Sequence, residues 1–105
     1  MKIKIAGRSY DCRWDTNELG ASAQNAFRGE IYPEQQYITI NGRNHIEQQR
    51  ETLLHELIHA SDEITKAGLT EKQTGRISHA LYGILVDNPI VTKWILEGKS
   101  PRKDK

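Results

Sequence analysis

The chain has 105 residues, of which 28% are charged and 36% hydrophobic, with a mean hydropathy of −0.71; that is room for one domain with a modest core, and neither a disordered nor a membrane composition. Its net charge of +1 hides an asymmetry, since Lys99, Arg102, Lys103 and Lys105 against Asp104 put +3 on residues 99–105 and leave the rest at −2. No apolar run approaches the roughly 18 residues of a membrane span, and the N-terminus alternates instead of forming a signal-peptide core, so a cytoplasmic protein is expected.

Residues Lys2 to Ala6 and Ser9 to Trp14 read as two strands around a turn at Gly7 and Arg8, because Ile3, Ile5, Tyr10 and Cys12 fall at period two. Cys12, the single cysteine, excludes an internal disulfide or a cysteine-based zinc site. It reads as a small buried strand residue. The polar run "DTNELGASAQN" reads as a loop. "AFRGEIY" and "QQYITI", separated by Pro33 and Glu34, suggest a second hairpin, so the first half is expected to be a small antiparallel sheet.

At Asn44 the hydrophobic period changes. Asn44 with Glu47 has the form of a capping box, opening a helix from about His45 to Lys66 that Gly68 closes. Thr70 with Gln73 opens a second helix ending near Asp87, carrying an apolar stripe of Ile77, Leu81 and Ile84. Asn88 and Pro89 suit the cap and first position of a third, with Ile90, Trp94 and Ile95. Strands first and helices after predict an α+β fold with the helices on one face of the sheet. Residues 1–98 are expected to form the domain. The basic tail at 99–105 reads as a solvated end, and the body has no basic stripe interleaved with aromatics, so no nucleic-acid or membrane partner is expected.

The long helix carries "RETLLHELIHASDE". With about 100° between successive residues, and His55 at zero, His59 lies about 40° round, Asp62 about 20° to the other side and Thr52 about 60°. Leu53, Leu57, Ala60 and Ile64 gather between roughly 140° and 200°, which takes the histidines off the main apolar face. Chance placement on a solvated face is the competing reading. Imidazoles at i and i+4 stand about 6 Å apart at their bases, close enough to converge on one Zn²⁺. Glu56, turned about 100° from His55, sits beside that position as a general base able to take the proton of a water whose pKa a metal lowers toward 7.

The pattern "GEI...QYITI...ETLLHELIHASDE...GLTEKQTGRISHALYGILVDNP", about two thirds of the chain, resembles small zincin-type metallopeptidases of tailed phages and prophages, similar to the minimal gluzincins. One departure is Thr74, where an aliphatic residue is usual. The resemblance implies a zincin-like zinc peptidase acting on peptide or protein substrates in a bacterial host cell, with a glutamate on the following helix completing the site. It also implies that an extended peptide lies along the edge strand above the metal, a place "QQYITI" would fill.

For the third ligand the chain offers Asp62, Glu63, Glu71 and His79. Glu71 leads, because its helix can fold back after Gly68 and approach from another direction, with small Gly75 and Ser78 along its stripe. Asp62 suits a supporting contact, Glu63 is rotated toward Glu56 and reads as solvated, and His79 lies on another side of its helix. His45 and His79 read as surface residues, and Trp14 and Trp94 as core or sheet-capping. Tyr82 could donate to a developing oxyanion, though packing is its commoner use. The rival is a non-catalytic accessory or interaction protein that keeps the fold and a structural zinc.

Overall fold

Alternating Ile3, Ile5, Tyr10 and Cys12 build an antiparallel hairpin of β1 (Lys2–Ile5) and β2 (Arg8–Asp15). A computed structural model of the chain describes residues 1–16 and 28–97. The turn falls at Ala6 and Gly7, one residue earlier than the sequence suggested. Both have positive φ, 49° and 84°, the two-residue geometry whose twist matches that of paired strands. The second hairpin joins β3 (Gly29–Tyr32) to β4 (Tyr37–Asn41) through Pro33–Gln36. The expected loop lies outside the described residues from residue 17 onward, as do Ala26, Phe27 and the basic tail at 99–105.

The two hairpins join through β2 and β4, which run parallel, giving a mixed sheet in the order β1-β2-β4-β3. This corrects the purely antiparallel sheet. Each hairpin has a local turn signal, whereas the β2–β4 pairing has none. It also moves "QQYITI" from the edge to the centre of the sheet, paired on both sides, so this run cannot be a substrate-pairing strand. The edge beside the helices is β3.

Helix α1 (Ile46–Thr65) is capped by His45, whose Nδ1 accepts from the Glu47 backbone N–H at 3.3 Å. Asn44 is not the cap; its carbonyl accepts from Gln49 Nε2. At the other end Lys66, not Gly68, takes the left-handed cap at φ 56°. Thr70 caps α2 (Glu71–Asp87) with the complete capping box to Gln73, and α3 (Pro89–Glu97) follows. Helix α1 packs on the sheet, α2 on α1, and α3 on α2.

The core holds Ile5, Tyr10, Cys12, Ile38, Ile40 and Ala60, with Leu53 and Leu57 packed against it. The buried line of α1 is Thr52, Glu56 and Ala60, rotated toward the histidines from the expected apolar face, and Ile64 is exposed. On α2 the buried residues are Thr74 and Ser78, while Ile77 and Ile84 of the apolar stripe remain exposed. Small residues thus fill the α1–α2 contact, as the Glu71, Gly75 and Ser78 stripe suggested, with Thr74 buried beside them. Trp94 is 44% exposed and is no core residue. Trp14 is also exposed; its indole N–H donates to Gln49 Oε1 at 2.9 Å, tying β2 to α1. Among the described residues no helix is long and apolar enough to cross a membrane.

Candidate metal centre

His55 and His59 stand one turn apart on α1 with ring centroids 4.7 Å apart and planes at 73°. Their Nε2 atoms meet one carboxylate from the first residue of α2. Glu71 Oε1 lies 2.7 Å from His55 Nε2, and Oε2 lies 2.8 Å from His59 Nε2. One ligand atom from each of the three residues can be chosen so that all lie within 4.8 Å of one another.

The turn between the helices places Glu71 there. Asp62 Oδ1 accepts the backbone N–H groups of Gly68 at 2.8 Å and Leu69 at 3.2 Å, and Lys66 N–H closes on the Asp62 carbonyl at 2.7 Å. The chain reverses, and the Thr70 cap starts α2 with Glu71 in its first turn, where the helix dipole favours a carboxylate. Small residues let α2 come close: a Cβ built on Gly75 would lie 3.8 Å from His55 Cε1. Ser78 Oγ is 3.4 Å from His55 Nδ1 and donates to the Gly75 carbonyl at 3.0 Å.

Glu56 occupies the flank between the histidines and the core and is 6% exposed. A cavity of about 370 Å³ opens beside it, walled by His55, Glu56 and Glu71, by Thr52 and Glu51 of α1, by Gly75 and Ser78 of α2, and by Arg28 and Gly29 at the start of β3. Burial pushes the Glu56 carboxyl above the usual carboxylate range, against the pull of the nearby His55 and His59. At Glu71 burial also acts upward, yet the His55 hydrogen bond and the nearness of both imidazoles hold its carboxyl below that range. Two carboxylates in one site are thereby driven apart, one toward holding a proton and one away from it.

The remaining candidates separate cleanly. Asp62 is occupied by the turn it holds together and stands apart from the three-residue cluster. Glu63 is exposed. His79 is 77% exposed and pairs through Nδ1 with Glu51 Oε1 at 3.0 Å. Tyr82, His45 and His79 line a second cavity that shares Arg28, Gln48 and Glu51 with the first. Sequence reading missed Gly29 and Arg28 in the cavity wall. The available signal was a glycine opening a strand, which marks close backbone approach: a Cβ there would lie 2.5 Å from Thr52 Cγ2 and 2.8 Å from the Thr39 carbonyl oxygen.

No protein-family model, curated protein or solved structure matches the chain.

The donor set itself fits a zinc ion. Two imidazole nitrogens and a carboxylate oxygen form a known three-ligand hydrolase set that leaves a fourth position open. Tetrahedral ligands at about 2.0 to 2.1 Å from the metal lie roughly 3.3 Å from one another. Each carboxylate oxygen stands 2.7 to 2.8 Å from a single imidazole nitrogen, closer than that, so the carboxylate must draw back to admit a cation, a movement open to the Glu71 side chain, which is largely exposed.

Proposed function

We propose that the protein is a zincin-like, zinc-dependent peptidase of phage or prophage origin, active in the cytoplasm of a bacterial host, with His55, His59 and Glu71 as metal ligands and Glu56 as general base. The observation that carries the reading is the meeting of these three donors beside a cavity whose wall includes His55, Glu71 and the desolvated Glu56. Bound zinc would supply a polarised substrate carbonyl and a more acidic water. The chain's own residues supply the rest.

Glu56 is the proton carrier. Among the described residues no hydrogen bond or ion pair engages its carboxylate, and the residue lines the cavity. A carboxyl raised by burial is a stronger base than a solvated one, and it can take a proton from water and deliver it to the leaving amine. The balance is simple hydrolysis: the water oxygen bonds to the carbonyl carbon, the C–N bond breaks, and the proton held on Glu56 goes to the nitrogen. Glu71 stays anionic under the same conditions, as a ligand must.

Extended peptide would pair along β3. That strand has β4 on one side and no strand on the other among the described residues, and its first residue, Gly29, forms part of the cavity wall. Main-chain hydrogen bonds to such an edge hold a peptide without regard to its sequence.

The test pairs zinc stoichiometry on purified protein with a proteome-wide cleavage screen of the wild type and Glu56→Gln. The peptidase reading expects one zinc per chain in both and hydrolysis in the wild type alone. Equal cleavage by both removes Glu56 from the mechanism, and zinc in both with cleavage in neither favours the accessory protein with a structural zinc.

A further inference from the structure

His55 and His59 contribute the same atom to the cluster but are held differently. Among the described residues no hydrogen bond reaches His59 Nδ1, and its ring leans edge-on against that of His55. His55 is gripped at three places by one stripe of α2: Glu71 at Nε2, Gly75 beneath Cε1 and Ser78 at Nδ1. These residues recur at i, i+4 and i+7, which lie one above the other on a helix.

Ser78 is 1% exposed, so water does not compete for its hydroxyl. A serine hydroxyl has one hydrogen to donate and two lone pairs to accept with. The hydrogen is spent on the Gly75 carbonyl at 3.0 Å. Toward His55 Nδ1, 3.4 Å away, the oxygen is left with its lone pairs. We propose that Ser78 is a positioning residue that fixes His55 with hydrogen on Nδ1 and Nε2 turned to the metal position. This inference rests on the zinc reading above.

The arrangement needs no rebuilding when a cation enters. A cation would enter on the Nε2 side, where Glu71 Oε1 stands 2.7 Å away, and the Nδ1 contact on the far side of the ring is untouched. A ligating histidine generally donates its second N–H to a carboxylate, carbonyl or water. Here the acceptor is a neutral hydroxyl, which keeps a further negative charge away from Glu71 and is small enough for the two helices to touch.

The experiment measures zinc affinity by chelator competition for the wild type, Ser78→Ala and Ser78→Thr, together with ¹⁵N-histidine NMR of the zinc-loaded proteins and the thermal midpoint of each without metal. In the expected result Ser78→Ala binds zinc about 10 to 100-fold more weakly with its metal-free midpoint near that of the wild type. Its His55 Nδ1–H loses protection from exchange while His59 is unchanged, and Ser78→Thr, which keeps the hydroxyl, recovers affinity and protection. Equal zinc affinity in the wild type and Ser78→Ala overturns the role of Ser78 and leaves the metal centre standing, whereas hydrogen on Nε2 of His55 in the loaded protein overturns both that role and Nε2 as the His55 donor. A wild type that binds no zinc overturns the metal centre and this role with it.

Discussion

Replacing Gly29 with alanine puts a methyl group where α1 and the edge strand are closest. The new Cβ would lie 2.5 Å from Thr52 Cγ2 and 2.8 Å from the Thr39 carbonyl oxygen. Carbon atoms rest at about 3.5 to 4.0 Å, so the first contact is about 1 Å too short. Thr52 is buried and β-branched, which leaves it little rotamer freedom. Thr39 O is backbone of β4, and moving it means breaking the β3–β4 ladder. Overpacking of this kind costs about 1 to 3 kcal/mol, and with neither neighbour able to yield the upper part applies, about 2 to 3 kcal/mol. For a domain near this size that is a fall of roughly 10 to 15 °C in thermal midpoint. Thermal and urea unfolding of Gly29→Ala, Thr52→Ala and the double variant measure it. Removing Thr52 Cγ2 relieves the shorter clash, so the double variant should be less destabilised than the sum of the singles by about 0.5 to 2 kcal/mol. A Gly29→Ala protein as stable as the wild type, or strictly additive single variants, would refute the close seating of β3 against α1.

Glu71→Ala should abolish tight zinc binding, whereas Asp62→Ala should keep zinc and lose about 1 to 3 kcal/mol of stability with the two backbone contacts of the turn; calorimetric zinc titration beside urea unfolding reads both, and the reverse order would make Asp62 the ligand. Chelation should lower the midpoint, since a ligand present at about 1,000 times its Kd stabilises the native state by about 4 kcal/mol. An unchanged midpoint would count against resident metal. In the metal-free protein Glu56 has its native pKa raised above the ordinary 4.5, so above that pH the native state binds the proton more tightly than the unfolded chain, and stability falls as pH rises toward the native value. Glu56→Gln lacks this loss. Its advantage in midpoint over the wild type should be absent well below pH 4.5, grow above it and then level off; an advantage independent of pH would place the cause elsewhere.

What could be read from the sequence follows the range of the interaction responsible. Both hairpins, three helices and the Thr70–Gln73 capping box are local patterns, and each is present. His55, His59 and Glu56 were legible because i to i+4 geometry is itself local. Glu71 was reachable because a short turn ties its helix to theirs. The parallel joining of β2 to β4 was not legible, since no turn encodes it, and the wrong choice of edge strand followed from that. Burial of Thr52, Glu56 and Thr74, and exposure of Ile64, Ile77 and Ile84, were equally hidden. A helical wheel ranks faces by hydropathy, while here steric fit around Gly29 and Gly75 selects the face that packs.

The β2–β4 ladder also governs how the chain can assemble. Its partners stand 26 residues apart at every step, from Asp11↔Tyr37 to Asp15↔Asn41, whereas β1–β2 partners are at most 9 apart and β3–β4 partners at most 11. Each hairpin can close on a microsecond scale with little loop entropy to overcome. Their union requires a long-range search rewarded only when Cys12, Ile38 and Ile40 come together, and topology of that kind slows folding. The transition state is then expected where the two hairpins meet beneath α1. Residues of this ladder should set the rate of folding, and those of the α1–α2 contact, which carries the donor cluster, the rate at which the finished structure opens.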